Sequence, residues 1–415
     1  MGNLSSVLPA LSGDQTNSSS KLSDSGYTRS LRYMLRASQA NKHSYFVTCD
    51  GVDGKYIEID DKKTINFASC SYLGLELDTR VKRGAIEAIE KYGTQFSCSR
   101  TFLSIALYQE LEHLYAKIFG SENIIIAPTT TLAHAAAIPV VVDNHDVVFV
   151  DRKVHNSVQM AIDLLNKRNI KVVPVNHNDM TKLEQLINEH KNNRRIWYFG
   201  DGVYSMSGSF APLEQLEQLR DKYPNFYLYL DDAHGMSWTG TFGRGYVLEH
   251  LKKRERTIVA VSHAKGFGTA GGTLIFADEL DAEVVKAFGA TLIFGGPIQP
   301  PTLGASVASA KIHTSLDLVA MQEHLKDLLN HTLESFSRVG VPLLATNQSP
   351  IRFVKIGTDA EVSRVYNLLL SKGFYTNPAR FPAVARNEGG IRFTINAKLS
   401  FEDIDHLAAV IASAL

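Results

Sequence analysis

The chain has 415 residues, 44% of them hydrophobic and 21% charged, enough apolar material for a large core and more than one lobe. Lys plus Arg and Asp plus Glu number 43 each, so no net field draws in nucleic acid or an anionic membrane, and small-molecule ligands are expected. The cysteines, Cys49, Cys70 and Cys98, form no CxxC pair; this argues against a disulfide framework or a metal site and points to the cytoplasm.

Residues 1 to about 25 are polar and Ser-rich and read as a flexible lead within an N-terminal arm over 1–62. The opening Met1-Gly-Asn-Leu-Ser-Ser6 loosely matches an N-myristoylation pattern, in a composition that matches often by chance. No charged start followed by an apolar core marks a secretory signal. The most apolar stretch, Leu132–Val142, is interrupted by His134 and Pro139 and is too short to span a bilayer.

From Thr64 onward, strand-like runs alternate with amphipathic ones: Asn123–Ala127 then Leu132–Val141, Asp146–Val150 then Ser157–Asn166, Lys171–Val175 then Lys182–His190. The rhythm continues through Arg195–Phe199, the helical Leu213–Lys222, Phe226–Leu230, Thr257–Val261 and Gly272–Ala277. It predicts an α/β domain over 63–300, with a mostly parallel sheet wrapped by helices. A long helical region then runs from about Pro301 to Val339. Strand-like Ile351–Ile356, a helix near Glu361–Ser371, strand-like Ile391–Ile395 and a closing helix complete a smaller α+β domain over 301–415.

Ligands of such sheets gather at the carboxyl ends of the strands, and the chemistry-bearing motifs fall there. Phe226–Leu230 runs into Asp231-Asp-Ala-His234-Gly235. A carboxylate at that place can pair with the ring nitrogen of pyridoxal phosphate, and His234 can reach the ring's phenolic oxygen. Taken alone, the Asp pair also reads as a helix cap or a metal ligand. Thr257–Val261 leads into Ser262-His-Ala-Lys265-Gly-Phe-Gly268, where partial burial would depress the lysine's pKa and make it an imine-forming, proton-shuttling amine. Gly266–Gly271 matches GxGxxG, but the strand-like run after it excludes a dinucleotide fingerprint, which must open a helix.

Pro128-Thr129-Thr130-Thr131 precedes a helix, where free N–H groups and hydroxyls can hold a phosphate or simply form an N-cap. His155, after another strand, could lie on a flat cofactor, and Arg392 could fork onto a substrate carboxylate.

Together, Asn66-Phe-Ala-Ser-Cys-Ser-Tyr72-Leu-Gly-Leu75, Asp201-Gly-Val-Tyr-Ser205-Met-Ser-Gly208, the Asp231 and Lys265 motifs and Gly390-Ile-Arg392-Phe resemble the α-oxoamine synthases, fold-type I pyridoxal-phosphate acyltransferases. The resemblance covers about residues 60–415. It implies that Lys265 forms the imine with pyridoxal 5′-phosphate, Asp231 pairs with the ring nitrogen, and His155 stacks on the ring. By the same resemblance Ser205 and His234 approach the phenolic oxygen, and Thr129, Thr130 and Ser262 face the phosphate. Arg392 and Cys70 would hold the amino acid's carboxylate. It further implies decarboxylative condensation of an amino acid with an acyl thioester to an α-amino ketone, in a homodimer with sites at the subunit interface. Four departures stand out: Cys70 in place of an asparagine, Ser262 in place of a threonine, Thr129-Thr130 in place of a glycine–aromatic pair, and Gly295-Gly296 in place of the partner subunit's Ser/Thr pair. An aminotransferase or retro-aldol lyase would use the same Lys265, Asp231 and Arg392.

Overall fold

A computed structural model describes residues 47–381 and 383–415. The expected flexible lead and the Gly2 lipidation pattern lie outside the described residues. A short hairpin, β1 (Tyr56–Ile59) and β2 (Lys62–Asn66), comes first. The main sheet follows, from β3 (Ile124–Ala127), β4 (Val147–Asp151), β5 (Lys171–Val175), β6 (Ile196–Asp201), β7 (Phe226–Asp231), β8 (Thr257–Ser262) and β9 (Gly272–Phe276). Its order is β3-β9-β8-β7-β6-β4-β5. Only β9 runs against its neighbours β3 and β8; the other pairs are parallel. The expected α/β architecture is borne out.

β4, β6, β7 and β8 are almost entirely buried, which is why they read as continuous apolar runs without alternation. Alternate residues nevertheless separate two cores. Tyr229 and Phe199 pack with the Thr130–Val141 and Asn156–Asp163 helices on one face. Leu228, Leu230 and Tyr198 pack with the Ala106–Phe119, Leu213–Lys222 and Tyr246–His250 helices on the other. Between β8 and β9 the chain reverses through Gly268 (φ +76°) and Gly271 (φ +129°), so the GxGxxG stretch opens a strand, as expected.

The long helical region after Pro301 is two helices, Pro300–His313 and Leu316–Arg338, separated where Ser315 caps the Asp317 N–H. The Thr79–Tyr92 helix was not foreseen, although Val81, Ala85, Ala88 and Tyr92 recur at helical spacing; it buries only Val81 and Ala88. Its Gly84 meets Gly304 of the Pro300–His313 helix so closely that a Cβ on Gly84 would lie 2.6 Å from the Gly304 carbonyl oxygen.

The C-terminal domain contains β10 (Ile351–Gly357), β11 (Phe374–Tyr375), β12 (Asn377–Ala379) and β13 (Gly389–Thr394). β10, β13 and β12 form an antiparallel sheet. The Asp359–Ser371 and Phe401–Ala414 helices cover it, each opened by a capping box, Thr358 with Glu361 and Ser400 with Asp403. β2 pairs in parallel with β11. Phe67, Tyr72, Leu73, Leu75 and Val81 are buried in the same cluster as Phe393, Ile395 and Leu407. The segment 67–81 is thus a strap built into the core of the C-terminal domain. Among the described residues, no helix is long and apolar enough to cross a membrane.

Candidate active site

β6, β7 and β8 end side by side, with Asp201 in register with Asp231 and Asp231 with Ala260. Asp231 is 3% exposed and lies on the Tyr229 face of the sheet. Its Oδ1 accepts the Ala233 N–H at 2.9 Å, and its Oδ2 lies 3.0 Å from His134 Nε2. Burial pushes this carboxyl up, but the His134 charge and hydrogen bond outweigh it and, with Lys265 and His155, hold the group down at about 2. Asp231 is therefore a carboxylate deep in the protein.

Asp232 turns the other way. Its Oδ2 accepts the Val247 N–H at 2.8 Å, near the start of the Tyr246–His250 helix, while its Oδ1 has no hydrogen-bond partner. Burial, reinforced by Asp231, pushes its pKa well above the carboxylate range.

The Lys265 amine, in the β8–β9 loop, makes no hydrogen bond or ion pair among the described residues, while its carbonyl accepts the Gly268 N–H at 2.9 Å. Burial lowers its pKa, against the opposing fields of Asp231, Cys70 and Asp201, and Arg392 lowers it further. His234 is buried with its Nδ1 2.7 Å from Tyr72 Oη, and burial followed by the Lys265 and Arg392 charges keeps the ring neutral. If Tyr72 donates to Nδ1, the His234 proton sits on Nε2. His155 caps the Asn156–Asp163 helix, its N–H donating to Asp201 Oδ1 at 3.0 Å and its Nδ1 lying 2.7 Å from Ser157 Oγ. Burial lowers its pKa too, against Asp231.

Arg392, 7% exposed on β13, donates from Nε to the Ser205 carbonyl at 2.7 Å, from Nη1 to Asn377 Oδ1 at 2.9 Å and from Nη2 to Cys70 Sγ at 3.6 Å. All three acceptors are neutral or weak, so this buried cation lacks a carboxylate partner among the described residues. Ser205, Cys70 and Arg392, distant in sequence, are thereby brought together.

The Thr130–Val141 helix begins at Thr129, whose Oγ1 accepts the Leu132 N–H at 3.1 Å; Thr130 Oγ1 donates to the Val261 carbonyl at 3.4 Å. Both hydroxyls are thus engaged within the protein. The Thr130 and Thr131 N–H groups are left at the helix N-terminus, a setting that favours an anion. Gly272 sits beneath it: a Cβ there would lie 2.6 Å from Thr130 Cα. Ser262 ends β8 alongside, its Oγ accepting the Ala264 N–H at 3.3 Å. Gly295 and Gly296 follow the short Ala290–Ile293 helix, next to exposed Phe294, and Gly296 lines a surface pocket with Pro128 and Thr291.

A buried lysine, a buried carboxylate, the His155 imidazole and a helix N-terminus form a donor set that fits pyridoxal 5′-phosphate. His134, Tyr72 and Asn377 complete it and were not singled out in the sequence. His134 carried one signal, a lone histidine in an otherwise apolar run.

Residues 62–411 match the family described as aminotransferase class I and II. The chain belongs to that family. It is 30% identical to the 8-amino-7-oxononanoate synthase of Thermosipho melanesiensis over 88% of this chain and 91% of that protein. To the serine palmitoyltransferase of Bacteriovorax stolpii it is 29% identical, over 89% and 87% respectively. Among solved structures, the serine palmitoyltransferase of Sphingomonas wittichii shares the fold at a TM-score of 0.86 and 23% identity, over 95% of this chain and 98% of that one. The 8-amino-7-oxononanoate synthase of Francisella tularensis shares it at 0.72 and 22%, over 84% and 97%. The resemblance to the α-oxoamine synthases is borne out, and with it the cofactor class, pyridoxal 5′-phosphate, and the enzyme class, a PLP-dependent acyltransferase.

Proposed function

We propose that this enzyme joins the α-carbon of an amino acid to the acyl carbon of a thioester, breaking the C–S bond, releasing the thiol and losing the amino acid's carboxylate as carbon dioxide. The observation that carries the reading is the pairing of an uncommitted, pKa-depressed Lys265 with the buried carboxylate Asp231 and the carboxylate-free Arg392. When bound, pyridoxal 5′-phosphate supplies an electron-withdrawing ring that stabilises negative charge at the α-carbon. Lys265, neutral at lower pH than a free lysine, holds the cofactor and moves the α-proton. Asp231 would keep a negative charge for the ring nitrogen, His155 would lie against the ring, and Ser205 and His234 would serve its phenolic oxygen. Thr129, Thr130 and Ser262 would hold the phosphate, chiefly through backbone N–H groups. Arg392, steadied by Asn377 and the Ser205 carbonyl, binds the amino acid's carboxylate beside Cys70.

A cavity of about 810 Å³ opens next to His155 and Ser205, lined by Val154, Met206, Leu344, Phe353 and Val384, with Arg152 and Lys153 at its rim. Its apolar wall suits an acyl chain, and the rim suits the phosphates of a CoA or carrier-protein thioester. Phe102 and Phe294, 84% and 86% exposed, share a face tied together by the Ser99 Oγ to Ile293 carbonyl hydrogen bond. A second copy covering that face would bring Gly295 and Gly296 to a homodimer interface. Free Cys49, Cys70 and Cys98 support a cytoplasmic location.

Incubation with glycine, alanine or serine and a panel of acyl-CoAs tests the reaction. Equal release of free CoA and carbon dioxide is expected. A keto acid formed without CoA release would make the enzyme an aminotransferase and overturn the reading.

A further inference from the structure

Two buried carboxylates end neighbouring strands: Asp201 on β6 is 2% exposed and in register with Asp231 on β7. In a poorly solvated site, like charges so placed resist being ionised together. The hydrogen bonds around them are unequal. Asp201 receives the His155 N–H, while Asp231 receives the Ala233 N–H and faces His134 Nε2. His134 is itself fully buried, and its Nδ1 lies 2.8 Å from Tyr229 Oη. Parity along β7 puts Tyr229 and Asp231 on one face, so a single helix residue reaches both. His134 Nε2–H donates to Asp231 Oδ2, while Nδ1 and the Tyr229 hydroxyl bond to each other, so the ring is fixed at both ends.

We propose that His134, oriented by Tyr229, assigns the negative charge of the Asp201–Asp231 pair to Asp231, and so acts as the positioning residue that keeps a cofactor's ring nitrogen protonated. The inference rests on Asp231 facing that nitrogen. The charged or titratable groups facing the pair are His134 from the Thr130–Val141 helix, His155 ahead of the next helix, Lys265 from the β8–β9 loop, Asp151 at the end of β4, Tyr198 and Tyr204 on and after β6, and Tyr229 and Asp232 on and after β7. Consistent with the assignment, Asp231 is held low, whereas burial and then Asp231's own charge push Asp201 well above the carboxylate range. Without His134 the two carboxyls would compete for one charge, and the ring nitrogen would lose its full ionic partner.

The test uses holoenzyme reconstituted with pyridoxal phosphate labelled with ¹⁵N at the ring nitrogen, read by NMR across the neutral pH range. Wild type and His134→Gln, whose amide still donates to Asp231, should show a protonated ring throughout. His134→Phe should lose the ring proton within that range, its apparent pKa falling by about one unit or more, a tenfold change in the protonated fraction. Adding Asp201→Asn, which removes the competing carboxyl and keeps an acceptor for the His155 N–H, should restore protonation. Tyr229→Phe should give a smaller fall and serves if His134→Phe does not fold. A ring protonated alike in wild type, His134→Phe and Tyr229→Phe overturns the proposal, as does failure of Asp201→Asn to restore it. A free-cofactor spectrum in the wild type would instead overturn the Lys265 reading, a distinct outcome.

Discussion

Asp231 and Asp232 are adjacent in the chain yet are driven in opposite directions, Asp231 held low against His134 and Asp232, which accepts the Val247 N–H, pushed well above the carboxylate range by burial. Asp232→Asn should therefore keep turnover near wild type, while Asp231→Asn cuts it by on the order of 10²–10³-fold with cofactor still bound. Stability tests the charge state. Because the folded pKa of Asp232 is raised, the native state binds its proton more tightly than the unfolded chain does. Wild type loses that stability as pH rises from about 4, the unfolded value, toward the folded one. The Tm of Asp232→Asn relative to wild type should climb over that window; a constant difference would mean that Asp232 is ionised.

Lys265 should react with a reductive-methylation reagent in the apoprotein at a midpoint below that of free lysine, since burial and Arg392 favour the neutral amine. Asp231 opposes them, so Asp231→Asn should move the midpoint lower, and Arg392→Gln should move it higher. Peptide mapping of the label against pH measures both directions.

Arg392→Lys cannot reproduce donation to Ser205, Asn377 and Cys70 at once. A bidentate charge-assisted contact contributes roughly 1.5–3 kcal/mol, so amino-acid affinity should fall about ten-fold or more while the resting cofactor spectrum is unchanged. Cys70→Asn should reorder the affinities for glycine, alanine and serine. Absorbance titrations showing neither effect would remove both residues from the substrate pocket.

Gly272→Ala would set a Cβ 2.7 Å from the Thr130 nitrogen, at the helix end where an anion is expected. Overpacking of this kind costs about 1–3 kcal/mol. Cofactor affinity should drop with it, measured by dialysis against limiting pyridoxal phosphate, whereas Gly340→Ala, in open space at positive φ, should lower stability only.

The motif-bearing loops were legible because each follows a buried strand whose apolar run announces its end: Leu230 before Asp231, Val261 before Ser262. His134 was not, because its partners Tyr229 and Asp231 lie 95 and 97 residues away and nothing local distinguishes a buried relay from a tolerated core histidine. Parity alone would have put Tyr229 on the Asp231 face. The Tyr246–His250 helix, which uses Asp232, is too short for a periodic signal. The antiparallel course of β9 was hidden because strand direction leaves no trace in a run such as Gly272–Phe276.

The strap at 67–81 gives the two domains a mechanical link. Its backbone is bonded to the C-terminal domain, the Thr394 N–H to the Phe67 carbonyl at 2.7 Å and the Ala397 N–H to the Tyr72 carbonyl at 2.9 Å, while its side chains Cys70 and Tyr72 touch Arg392 and His234. One short segment thus fixes two contacts at once, Cys70 against Arg392 and Tyr72 against His234, so a substitution that shifts the strap's backbone should disturb both together.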